Sequence, residues 1–269
     1  MNFTVGGRAA FAYTAAHELE AGKPSVVFIH GAGLDHSSFA LQSRYFGYHG
    51  WNVVAVDLPG HGRSEGPPIA TIGGMADWVV EVLDHLNIAK AALVGHSMGS
   101  LIALDAAARH AQRVEKIALI AVAYPMQVTE AFLDAARRND LAAFDMHTIW
   151  GHAAQVPLGA NPNPGMWMYG DNLARLRRLA PGVLHNDLKA SNDFVLSGTV
   201  RCPVLFVLGK RDVMTPPRAA EELRKKISPS QLTVVDSSGH GLMGEAPDAT
   251  LDALIAFLRS SEPAPLPAR

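Results

Sequence analysis

The chain has 269 residues, 48% of them hydrophobic and 18% charged, which excludes a disordered segment and is long enough to bury a sizeable core. Lys and Arg number 23 against 25 Asp and Glu, a net charge of -2, so the basic excess of a nucleic-acid binder is absent. One cysteine, Cys202, rules out a disulfide-stapled fold, and no apolar run reaches the roughly 18 residues of a membrane span. Met1 to Gly7 shows no basic segment followed by an apolar run, so a soluble cytoplasmic protein is expected.

In chain order, Phe3 to Val5 and Phe11 to Thr14 suggest an antiparallel edge hairpin around Gly6-Gly7. Continuous apolar runs then follow at Ser25–Ile29, Asn52–Val56, Ala91–Val94, Lys116–Ile120, Pro203–Leu208 and Gln231–Val235. Runs without alternation are the pattern of parallel strands covered on both faces. Between them, Met75 to Leu86, Leu101 to His110, Pro217 to Ile227 and Ala249 to Leu258 read as helices. This alternation predicts a doubly wound α/β sheet, mostly parallel, with helices on both faces. It breaks once. Residues 124–197 hold only helical patterns, at Val128–Asn139, Leu141–Trp150, Asp171–Ala180 and His185–Asn192, with a turn-rich loop from Pro157 to Gly165. The expected organisation is a core of residues 1–123 and 198–260, a helical cap of 124–197, and a Pro-rich flexible tail of 261–269.

Gly95-His96-Ser97-Met98-Gly99 fits G-x-S-x-G, with a buried strand before it and a helix after it. The flanking glycines permit the tight turn that lifts a serine hydroxyl clear of a sheet. An N–H at the helix start then faces a developing oxyanion. The plain alternative is a Gly-rich packing turn with an inert serine.

The whole chain resembles the α/β-hydrolase fold family. His30-Gly31-Ala32-Gly33 is similar to its oxyanion loop and Asp57 to Ser64 to the turn after the next strand. Gly209 to Asp212 is similar to the acid loop and Ser238-Gly239-His240 to the histidine loop. By that resemblance the oxyanion donors are the N–H groups of Ala32 and Met98, with Gly33 as a substitute for Ala32.

Serine needs a base, and His240 follows the last strand by five residues, at the carboxyl edge where open α/β sheets place their sites. The other histidines fit less well. His17, His36, His49, His85 and His110 fall in hairpin, loop or helix contexts. His147 and His152 are off the spacing of two ligands on one helix face, His96 suits packing within the elbow, and His30 suits ordering of the oxyanion loop. The base needs a carboxylate, and Asp212 lies four residues beyond Leu208. The order Ser97, Asp212, His240 is that of the fold. Asp212 also suits capping of the turn at Met214 to Pro217, and Asp236 is the second choice of acid.

Asp57 and Gly60-His61-Gly62 invite a metal, but no second cluster stands at ligand spacing, no Gly-x-Gly-x-x-Gly follows the first strand, and Gly-x-x-x-x-Gly-Lys-Ser/Thr is absent. No metal and no cofactor are therefore expected. His30, Met126, Trp150, Trp167 and Met214 are candidates to line an apolar pocket, although cap aromatics and methionines equally suit the cap's own core. Arg175, Arg177 and Arg178 suit either a substrate carboxylate or a solvated helix face. The resemblance implies a serine hydrolase acting on a small carboxylic ester or thioester through an acyl-enzyme. Its alternatives are a carbon–carbon bond hydrolase of aromatic-degradation diketones, or a receptor for small molecules on the same fold.

Overall fold

The apolar runs assemble into one eight-stranded sheet in a computed structural model that describes residues 1–156, 167–227 and 229–260. The Pro157–Gly165 loop and the 261–269 tail lie outside the described residues. Strands β1 (Asn2–Val5) and β2 (Arg8–Tyr13) form the edge hairpin. The others are β3 (Ser25–Ile29), β4 (Asn52–Asp57), β5 (Ala91–His96), β6 (Val114–Ile120), β7 (Val204–Gly209) and β8 (Gln231–Val235). Their order is β1-β2-β4-β3-β5-β6-β7-β8, parallel from β4 to β8. At the far edge β8 leaves Leu232 and Val234 exposed, where its apolar run predicts cover on both faces.

Ten α-helices occur among the described residues. On the core they are α1 (Ala40–Tyr48), α2 (Ile72–His85) and α3 (Met98–Arg109). Four follow β6 and precede β7: α4 (Glu130–Arg137), α5 (Leu141–Trp150), α6 (Met168–Leu176) and α7 (Val183–Asn192). Then come α8 (Glu221–Lys226), α9 (Leu242–Glu245) and α10 (Pro247–Arg259). None is long and apolar enough to cross a membrane.

Alternate residues of each central strand feed opposite faces. Val26 and Phe28 of β3 pack with Phe39, Phe46 of α1 and Phe257 of α10. Val27 and Ile29 pack with Val79 and Leu83 of α2 and Leu101 and Ile102 of α3. Both faces are apolar, which is why the strands read as unbroken hydrophobic runs.

The chain leaves β3 for β4 on one side and returns to β5 on the other. That reversal opens a crevice at the carboxyl ends of β3 and β5. The register pairs Ile29 with Gly95, so the loops leaving the two strands begin side by side. Helix α3 crosses this point very closely. A Cβ at Gly99 would lie far inside contact distance of the Ile29 carbonyl, and one at Gly95 would meet the Gly99 carbonyl. Only glycine fits at either place.

Gly99→Ala should therefore lower stability by about 2–3 kcal/mol or more, because backbone rather than a flexible side chain must move. Gly73→Ala, in the first turn of α2 with its nearest neighbour 3.6 Å from the new Cβ, should instead raise stability by about 0.5 kcal/mol. Urea unfolding midpoints of the two variants against the parent check both signs.

Candidate active site

At the elbow, Ser97 takes φ 53° and ψ -116°, a left-handed conformation that L residues avoid. The surroundings hold it there. Its N–H donates to the Ile120 carbonyl at 2.9 Å, and the buried Ser100 hydroxyl bridges the carbonyls of Gly95 (2.8 Å) and Ile120 (2.9 Å). Met98 opens α3, so its N–H has no intrahelical acceptor.

Strands β7 and β8 bring in Asp212 and His240, the expected acid and base. Their register pairs Gly209 with Val235, which sets Asp212 beside the loop carrying His240. Asp212 Oδ1 accepts the N–H groups of Met214 and Thr215, both at 2.8 Å. Its Oδ2 accepts Thr215 Oγ1 at 2.6 Å and His240 Nδ1 at 2.8 Å. Capping and orienting are thus both performed by this one carboxylate. Burial alone would raise its pKa, but the His240 charge, then the hydrogen bonds from His240 and Thr215, outweigh it and hold the carboxyl down to about 2. With Nδ1 directed at Asp212, the opposite ring nitrogen of His240 remains for a reacting group. Asp236, the second choice of acid, is exposed and pairs with Lys210 at 2.9 Å.

Glu245 braces the base and carries no local signal of doing so. It is buried in α9 and accepts three backbone N–H groups, from Gly239 (2.9 Å), Gly241 (3.0 Å) and Ala153 (3.0 Å). Two flank His240 and the third belongs to the inserted segment. His96 supports the same loop by donating its Nε2–H to the His240 carbonyl at 2.9 Å. Burial, then the His240 charge, push its pKa down to about 3, so it stays neutral and packs, as its place in the elbow suggests.

The loop after β3 departs from expectation at two residues. Gly33 does not substitute for Ala32: its N–H already donates to the buried Asp187 carboxylate of α7 at 2.9 Å. His30 does not line a pocket. It is fully buried, with Nδ1 at 2.8 Å from the Gly31 carbonyl and Nε2 accepting the Leu58 N–H at 3.1 Å. Ala32 stays at the cavity, and its carbonyl accepts His147 Nε2 of α5 at 3.0 Å.

Two cavities meet at His147 and His240. The smaller, about 130 Å³, holds Ser97 and Ala32 and is walled by Met126, Phe132, Trp150, Leu188 and Met214. The larger, about 510 Å³, is more polar, with Ser37, Gln42, His152, Asn172 and Arg175. Of the candidate pocket residues, Met126, Trp150 and Met214 border the first, and Trp167 borders the second while 72% exposed. Arg175 reaches Ser38 Oγ at 3.2 Å and pairs with Asp171, whereas Arg177 and Arg178 lie on the exposed side of the helix end. Asp35, His36 and Asp57 gather near the loop after β4, but both Asp57 oxygens are engaged by N–H groups, those of His36 and Arg63. That cluster organises loops.

Residues 26–253 match the model of the alpha/beta hydrolase family. The chain is 30% identical to a pimeloyl-[acyl-carrier protein] methyl ester esterase of Neisseria meningitidis, over 80% of this chain and 85% of that protein. It is 24% identical to the (E)-2-((N-methylformamido)methylene)succinate hydrolase of Acinetobacter baylyi, over 91% and 95% of the two chains. Among solved structures it is similar to an enol-lactonase from Burkholderia xenovorans, with TM-score 0.86 and 24% identity over 97% of this chain and all of that one.

The depressed Asp212 pKa carries a sign. A carboxyl held below its unfolded value stabilises the fold above about pH 4 and loses that contribution as pH falls towards about 2. Asp212→Asn should therefore lose stability less steeply than the parent between about pH 4 and pH 2. Thermal midpoints measured across that interval check it, and parallel curves would refute it.

Proposed function

The chain belongs to the alpha/beta hydrolase family and is an enzyme of that type, and from this premise we propose that it hydrolyses a small carboxylic ester or thioester through a serine acyl-enzyme. The observation that carries this reading is the 2.8 Å bond between Asp212 and His240 Nδ1, with Ser97, His240 and Ala32 around one cavity.

In the proposed reaction His240 Nε2 takes the Ser97 proton as Oγ attacks the substrate carbonyl carbon. The negative charge moves to the carbonyl oxygen, which accepts hydrogen bonds from the Ala32 and Met98 N–H groups. The tetrahedral adduct collapses, the bond to the leaving alcohol or thiol breaks, and His240 returns the proton to that group. Water then attacks the acyl-enzyme with His240 as base, and the carboxylic acid departs as Ser97 recovers its proton. Asp212 stays ionised and stabilises the imidazolium formed in each half. The methyl ester esterase among the relatives supports the ester class.

Cavity sizes support a division of the substrate. About 130 Å³ of apolar space beside Ser97 is close to a cavity of about 150 Å³ that accepts benzene, so it suits an acyl group of roughly four to six carbons. The larger polar cavity suits the leaving group.

The reading predicts that p-nitrophenyl butanoate is turned over and that Ser97→Ala lowers kcat by at least about 10³-fold without changing the thermal midpoint by more than a few degrees. A dodecanoyl ester should show lower kcat/KM than the butanoyl ester. Steady-state kinetics with both esters tests each statement, and turnover retained in Ser97→Ala would remove the serine from the mechanism.

A further inference from the structure

The peptide unit between Ala32 and Gly33 is gripped at both ends by the inserted helices. Its carbonyl oxygen accepts His147 Nε2–H of α5 at 3.0 Å. Its N–H donates to Asp187 Oδ2 of α7 at 2.9 Å. A peptide is planar, so holding its donor and its acceptor together fixes its plane. The preceding unit is held from the core instead: the Gly31 carbonyl accepts His30 Nδ1–H at 2.8 Å and the Leu34 N–H at 3.2 Å. In a trans peptide N–H and C=O point in opposite directions, so engaging the Gly31 carbonyl turns the Ala32 N–H the other way.

Asp187 is in turn secured by the loop after β4. His61 Nε2 lies 2.7 Å from the same Asp187 oxygen, and His61 Nδ1 lies 3.1 Å from the Pro59 carbonyl. Both ring nitrogens thus face acceptors, an arrangement that only the doubly protonated imidazolium satisfies. Residues 61 and 187 are both buried. Burial opposes each charge, but the Asp187 charge and its hydrogen bond raise the His61 pKa, and the His61 charge and hydrogen bond, with the Gly33 N–H, lower that of Asp187. His30, 4.9 Å from His61 between ring centroids, is pushed down to about 4 by burial and then by His61, and it stays neutral. Asp57 adds a further negative charge near His61.

We propose that Asp187, locked by His61, is a positioning residue for the oxyanion hole, so that the cap helices complete a catalytic element of the core. This rests on the serine reading above, because the clasped peptide shares the Ala32 Cα with the peptide that carries the Ala32 N–H, and fixing the one limits how far the other can turn. The placement needs a carboxylate. Asp187 lies among the buried residues of α7 with Val183, Leu184 and Leu188, and its other oxygen accepts Asn186 Nδ2 at 3.4 Å. The Leu176 and Leu184 side chains close over Gly33 and exclude water from the pair.

Asp187→Asn and His61→Gln test the clasp, since neither residue lines the two cavities around His240. Each should lower kcat for a short ester by about tenfold or more with KM within about threefold, as expected when a reacting geometry is loosened rather than a binding contact removed. Hydrogen exchange at residues 31–34 should accelerate in both, while exchange in β3 and β5 stays at the parental rate. Parental exchange at 31–34 in a folded variant would overturn the clasp. Faster exchange with parental kcat would overturn its catalytic role. If Asp187→Asn does not fold, His61→Gln alone decides, because Gln keeps a donor for Asp187 while removing the charge and the bond to the Pro59 carbonyl. Ser97→Ala is assayed alongside. Turnover retained there would reject the serine reading, while the exchange measurement still decides whether the clasp exists.

Discussion

Helix α3 leaves Ser97 and passes so close to the end of β3 that the backbone of Gly99 rests on the Ile29 carbonyl. This contact sets what can stand around the serine. It forces Ser97 into its left-handed conformation, and it places the first N–H of α3 beside the loop that leaves β3. In the proposed mechanism two donors that follow different strands serve the same oxygen without any side chain reaching for it. Preorganised backbone dipoles of this kind cost nothing to reorient during a reaction, which makes them effective against developing charge.

The loops at the carboxyl end of the sheet then face a problem of their own. They are buried, they belong to no ladder, and their N–H groups still require acceptors. Carboxylates supply them. Asp57 accepts from His36 and Arg63, Asp212 from Met214 and Thr215, Glu245 from Ala153, Gly239 and Gly241, and Asp187 from Gly33. An ionised carboxylate offers about four lone-pair directions, so one side chain replaces several rungs of a sheet. This explains why a chain only 18% charged buries acids where its loops are most irregular. In the proposed mechanism only Asp212 deals directly with the base, and the other three hold backbone still.

What local sequence reveals follows the range of the interaction. The strands announce themselves as apolar runs because both faces are covered, and Ser97 because the elbow demands glycine at fixed offsets. Asp212 and His240 are legible because each sits a few residues beyond a recognisable strand. Helix α1 is not, since it buries Gln42 and Ser43 while exposing Leu41 and Tyr48, and so lacks an apolar stripe. The onset of α3 at Met98 is hidden by the Gly99 that the close crossing requires. Asp187 and His147 act on partners 154 and 115 residues away, and Glu245 adds Ala153, 92 residues away, to its near partners Gly239 and Gly241; no local pattern encodes the distant bonds. One trace exists: an aspartate at the position where α7 should be apolar. For the same reason Gly33 and Ala32 look interchangeable in sequence, and only the distant carboxylate separates them.

Among the described residues the inserted segment bonds the core loops at the Ala32 carbonyl, the Gly33 N–H, the Ile69 carbonyl through Asn186, the Ser237 carbonyl through Gln155 and, through the Ala153 N–H, at Glu245. Lifting it as a rigid body would break these bonds and strand the buried charges of His61 and Asp187, each of which is costly to leave unpaired. A cap bonded in this way is better suited to staying docked while ligands pass through the cavity mouths than to swinging open. The same division separates two kinds of change. Met126, Phe132, Trp150 and Leu188 wall the space beside Ser97 without taking part in these bonds, so in the proposed reading their sizes are free to vary with the acyl group. His147 belongs to both sets, since it borders both cavities and holds the Ala32 carbonyl. In the proposed mechanism, substrate shape and oxyanion geometry are therefore coupled at that one side chain.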